Sequence, residues 1–150
     1  MTSQTQNAPP GAGAYDFVSL AATMTETGVG ALLPTTIIGE NKGFKIDVAW
    51  TVSGGWVPFL AGNWKASASV ESIGPGLEAV IGSVTVALTP GTTSYTGTIL
   101  IPGGLPVAAG QSSTPYDFVV TLTAVDGASN PLPFAGYVEE PILQVFKPGP

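Results

Sequence analysis

The side chains that carry most enzyme chemistry are scarce in this chain. Histidine and cysteine are absent, and all four basic residues are lysines. Without histidine or cysteine there is no Ser-His-Asp triad, no thiolate nucleophile and no ordinary zinc site. Without arginine there is no bidentate clamp for phosphate or carboxylate. Neither a Walker A loop nor a GxGxxG turn is present. Serine–lysine chemistry would have to use Lys42, Lys45, Lys65 or Lys147, and nothing in their spacing marks a partner serine. Surface solvation is the commoner role for lysine. The expectation is a protein that is not an enzyme.

The carboxylates are more numerous, ten in all, but poorly grouped. Glycoside hydrolysis needs two of them in one cleft. Glu139-Glu140 is the only adjacent pair, and on a strand neighbours point to opposite faces. The favoured reading is charge that protects an edge strand from unwanted pairing. In the turn DGASN, Asp126, Ser129 and Asn130 could offer oxygens to calcium. A lone aspartate is a thin ligand set, and tight-turn chemistry accounts for every residue there. No metal and no cofactor are expected.

The densest cluster of recognition-type side chains is WTVSGGWVPFLAGNW, residues 50–64, which holds all three tryptophans. Strand parity divides it. Trp50 shares a face with Phe44, Ile46, Val48 and Val52, and Trp64 shares one with Ala66, Ala68 and Val70. Both are expected in the core, as the two walls of a hairpin, each burying on the order of 150–250 Å². Trp56 falls between them, with Val57, Phe59 and Leu60, in a connection that is apolar where loops are usually polar. Three readings compete for it: a cap over the open end of its own core, a contact for a protein partner or a second copy, or a sugar platform at Trp56. The sugar reading ranks last, because polar side chains must converge beside the ring and only Asn63 is near in sequence. The candidate binding residues are Trp56, Val57, Phe59 and Leu60.

Strands must position these residues. Gly 20 and Pro 14 punctuate the 150-residue chain, with turn signals at 39–43, 53–55, 73–76, 89–91, 101–104 and 126–131. Between them apolar and polar residues alternate with period two, which predicts strands over 44–52, 64–71, 80–88, 94–101 and 116–125, with less regular ones near 15–25 and 134–146. In 64–71, Lys65, Ser67, Ser69 and Glu71 take the face opposite Trp64. In 80–88, Val80, Val84, Val86 and Leu88 are assigned together. Pro141 suits an edge position. No stretch keeps helical periodicity over roughly ten residues. The prediction is all-β, an antiparallel β-sandwich of seven to eight strands. Residues 1–13 read as a flexible N-terminal tail and 14–148 as one domain. YDFV occurs at 15–18 and again at 116–119, either as a common strand opening or as the mark of two strands side by side.

Charged residues are 9% of the chain and the net charge is -6, against about 25% charged residues in typical domains. Nucleic acid needs clustered Lys/Arg, so it is not an expected partner. An anionic membrane surface is disfavoured for the same reason. No apolar run approaches the roughly 20 residues of a membrane span. The start, MTSQTQNAPPGAG, lacks the basic and apolar regions of a signal peptide. The expectation is cytoplasmic synthesis, with export or packaging by a dedicated machine, because the low charge and many small residues have an extracellular look.

The stretch LPVAAGQSSTPYDFVVTLTAVDGASN, 105–130, resembles the late strands of bacterial immunoglobulin-like and fibronectin-III-like domains. The matching positions are Leu105, Gly110, Tyr116, Asp126, Gly127 and Asn130. The resemblance implies an Ig-like sandwich with Tyr116 as a tyrosine corner, its hydroxyl bonding backbone upstream, and Trp50 as the core tryptophan. QSSTP before Tyr116 departs from the tight family spacing. The whole-chain pattern, through the tryptophan segment, ESIGPG (71–76) and AGYVEEPILQVF (135–146), also resembles small Ig-like proteins of phage-tail-like contractile injection systems. That implies a packaged cargo or accessory component. The expected function is a non-catalytic interaction or structural module; the alternative is a carbohydrate-binding module or adhesin domain.

Overall fold

The computed structural model describes residues 2–6, 16–26, 37–53 and 61–149. Among them are nine strands and no helix: β1 (Thr2–Gln6), β2 (Asp16–Glu26), β3 (Ile37–Gly39), β4 (Phe44–Ser53), β5 (Gly62–Ser72), β6 (Glu78–Leu88), β7 (Ser94–Ile101), β8 (Ser113–Val125) and β9 (Pro131–Phe146). The larger sheet runs β1-β9-β8-β5-β6, and β3 also pairs with β9; the smaller runs β2-β4-β7. All pairings are antiparallel except β3 with β9. Both sheets contribute to one core.

Alternation explains why the core forms where it does. β4 buries Phe44, Ile46, Val48, Trp50 and Val52; β5 buries Trp64, Ala66, Ala68 and Val70; β8 buries Tyr116, Phe118, Val120, Leu122 and Ala124. At the centre, Trp50 stacks on its cross-strand partner Tyr95, with centroids 5.8 Å apart and planes at 12°. Trp64 meets Trp50 from the other sheet, edge to face at 6.0 Å. Such ring pairs add about 0.5–1.5 kcal/mol each beyond the area they bury.

β6 departs from the predicted face. Ala68 pairs with Gly82 but Ser69 pairs with Val80, so Ile81 is an extra residue. This β-bulge reverses parity on either side of it. Val84, Val86 and Leu88 keep to the inner side, while Val80 is 67% exposed. Beyond the bulge β6 leans over β7. A Cβ on Gly97 would lie 3.0 Å from Val84, and one on Gly82 would lie 2.8 Å from Ile99. Glycine at both positions lets the ends of the two sheets close together.

Three other expectations meet the structure differently. Trp50 and Trp64 are not on a hairpin: β4 lies in the small sheet and β5 in the large one, so the tryptophans face each other across the core. The last strand is not an edge over most of its length. β8 pairs with one side of β9, while β1 and then β3 pair with the other, at 135–139 and 144–146. Pro141 falls between those two partners, at a bulge where 141–142 oppose Asp117, so its missing N–H breaks no ladder. Asp16–Val18 of the first YDFV lie in β2 of the small sheet and the second YDFV lies in β8 of the large one, so the two strands are not side by side. Thr2–Gln6 form β1 against β9.

Candidate functional site

The predicted contact residues Trp56, Val57, Phe59 and Leu60 lie outside the described residues. Their anchors are described. Val52 is buried in the small sheet and Trp64 in the large one, so the chain crosses between sheets in this interval. At Gly62 the crossover enters β5 with φ 129°. A Cβ there would collide with the Val125 carbonyl oxygen.

Tyr116 makes the bond its resemblance implies. Its Oη donates to the Pro106 carbonyl oxygen at 2.7 Å. Burial pushes the phenol above its ordinary value of 10.0, with the Leu77 backbone pulling the other way. The departing segment QSSTP is tied down rather than loose. The buried Thr114 hydroxyl accepts the Ala108 N–H at 2.7 Å, and the Lys147 N–H bonds Ser112 O at 2.9 Å.

The lysines are spread over the surface. Lys45 pairs with Asp47 at 3.2 Å on the outer side of the small sheet, and Lys42, Lys65 and Lys147 are exposed. Asp126 closes its own turn: Oδ1 accepts the Ala128 and Asn130 N–H groups, each at 2.9 Å, and Oδ2 accepts Asn130 Nδ2 at 3.1 Å. The Asn130 backbone bond leads in holding this carboxyl below its ordinary value, followed by the Asn130 side chain. Among the described residues no three His, Cys, Asp or Glu side chains are grouped to hold a metal ion.

What does assemble is the outer face of the large sheet. Directly paired residues share a face, so register sets its rows. One row is Glu78, Glu71 and Asp117; the next is Val80, Ser69, Val119 and Glu139; the next is Ser83, Ser67, Thr121 and Tyr137. The first two rows border an open groove of about 380 Å³. Its three carboxylates stand directly opposite one another, an arrangement that costs sheet stability. The third row sets the half-exposed Tyr137 ring among hydroxyls, with Glu139 two residues along on the same face. Parity alone placed Ser67, Ser69 and Glu71 outward. The rows were out of reach, because register and the β6 bulge depend on pairing that alternation within one strand does not encode.

No family model matches the chain, and no curated protein matches it. Among solved structures, the C-terminal domain of Wzt is similar: TM-score 0.56 at 10% identity, covering 99% of this chain and 79% of that one. That likeness is one of fold. It supports an all-β architecture of the sandwich kind.

Proposed function

We propose that the chain is a non-catalytic binding module built on an Ig-like β-sandwich. The observation that carries the binding role is the division of its polar groups. Apart from the row of Glu71, Glu78 and Asp117, the described ionisable side chains are spread over turns and sheet faces, while the outer face of the large sheet is a broad platform rich in hydroxyls. The Ig-like reading draws support from strand order. β8 opens near Tyr116 and lies between β9 and β5, as strand F lies between G and C. On this reading the core-tryptophan role passes from Trp50 to Trp64, because β5 is the neighbour of the tyrosine strand. The apolar segment with Trp56, Val57, Phe59 and Leu60 remains a proposed protein contact, at the crossover between sheets. Changing Trp56 and Phe59 to Ser tests it. Loss of partner capture with an unchanged unfolding midpoint is expected; unfolding with no specific loss of association returns the segment to the core.

A second reading, carbohydrate binding, rests on a different observation. Tyr137 has beside it the polar side chains that Trp56 lacks in sequence. Sugar recognition combines a ring face with a few placed hydrogen-bonding groups. With a net charge of -6 the chain suits neutral glycans better than acidic ones. A glycan array, repeated with Tyr137→Ala, checks this. Hits that vanish in the variant support the reading, and an array without hits removes it. The role as cargo or accessory component of a contractile injection particle rests on whole-chain resemblance. A sheath-and-tube cluster among the neighbouring genes is the observation that favours it.

A further inference from the structure

Whatever the module binds, β6 carries a feature that this role does not use. It is the last strand of the large sheet, and among the described residues no strand pairs with its second side. Exposed edges are ordinarily blunted by lysine, proline, charge, shortness or a β-bulge, and the bulge of β6, at Ile81, leaves 82–88 regular. β6 is 11 residues long, has no lysine or proline, and holds its one charge, Glu78, at its first position. The other edge of this sheet is capped by β1 and β3.

We infer that β6 pairs with β6 of a second copy, antiparallel about a two-fold axis at Thr85, joining two large sheets into one. The sequence of the strand is self-complementary in this register. After the bulge, 82–88 alternates without interruption, with Ser83, Thr85 and Ala87 outward and Val84, Val86 and Leu88 on the inner side. Pairing about Thr85 sets Ser83 against Ala87, Val84 against Val86, and Thr85 against itself. Inward residues meet inward residues and outward meet outward, Val84 against Val86 keeps apolar with apolar, and no charge meets a like charge. An isologous contact of this kind closes on itself and stops at a dimer. The bulge at Ile81 keeps Glu78 out of the regular ladder, so the carboxylate row lies beyond the paired stretch. Because each chain carries -6, added salt should tighten the dimer by screening the net repulsion.

Sedimentation velocity on the full chain over a concentration series tests the inference. The expected result is a monomer–dimer equilibrium whose dimer fraction rises with protein and with salt. Thr85→Lys places two ammonium groups directly opposite at the axis and should weaken the dimer about tenfold or more. Thr85 is exposed, so circular dichroism and the thermal midpoint should stay as in the parent. The chain has no cysteine, so Thr85→Cys should oxidise to a disulfide-linked dimer faster than Thr96→Cys, an exposed control on β7. A monomer at every concentration overturns the proposal. So does a dimer that survives Thr85→Lys and is broken by Thr96→Lys, which would move the contact to β7.

Discussion

Tyr116 shows how much one hydroxyl can hold. It ties the start of β8 to Pro106, ten residues upstream, across a segment also fixed through Val107, Ser112 and Thr114. Tyr116→Phe should keep the fold and lose about 1 kcal/mol, read as a lower urea midpoint. The phenol also predicts the alkaline limb. Its folded value is raised, so unfolded chains release the proton first, near pH 10. Stability should be flat below that pH and fall as pH rises toward the folded value. Tyr116→Phe should show a shallower fall, measured as urea midpoints from neutral to alkaline pH. The tryptophans make a second prediction at this scale. Trp50 and Trp64 are 1% and 0% exposed, so Trp56→Phe should emit at short wavelength and resist acrylamide. If the parent protein differs from this variant by a red-shifted, quenchable component, Trp56 meets water and is free to contact a partner. An identical spectrum places it in the core.

Strands were the most legible elements, because each buries one face and so writes its period into the chain. β7 coincides with its predicted range, and the inward residues of β4, β5 and β8 are the ones that alternation picked out. Val80 was misassigned, because an inserted residue in β6 is invisible until β5 is laid beside it. β1 went unrecognised because TSQTQ has no apolar residue to alternate. Its contribution is main-chain pairing with 135–139. A chain beginning at residue 14 should therefore still fold, with faster amide exchange at 135–139 and little change elsewhere in β8 and β9. General unfolding would show that β1 is integral to the domain. Gly62 makes a sharper demand, with its positive φ and its approach to Val125. Gly62→Ala should cost about 1–3 kcal/mol; thermal denaturation within error of the parent would contradict the entry geometry of β5.

At the level of the whole molecule, sequence and structure diverge in how elements are shared between sheets. Period-two alternation reports that a strand has a buried side; it is silent on which sheet the strand joins. That is why 50–64 read as a hairpin and instead spans both layers. It is also why the platform around Tyr137 was missed: its rows draw on β6, β5, β8 and β9, four separate stretches of the chain. Lys65, Ser67, Ser69 and Glu71 were visible as one outward face, but a single strand does not make a surface.

The pairing of β1 with β9 has a mechanical consequence. Suppose tension is applied between residues 2 and 149. β1 runs antiparallel to β9, with Thr2 opposite Glu139, so the load opens their bonds one pair at a time. The load then passes to β2 at Asp16, which is held antiparallel to β4 from Asp16 opposite Ser53 to Glu26 opposite Phe44, before it can reach the parallel β3–β9 joint. A force ramp on single molecules should record a small early yield as β1 peels away, then a larger event when β2 is pulled from β4 and the small sheet opens. Between those two forces the core stays whole and the chain lengthens by the released N-terminal segment. A tethered assembly using this module would have a link that gives slack before it breaks.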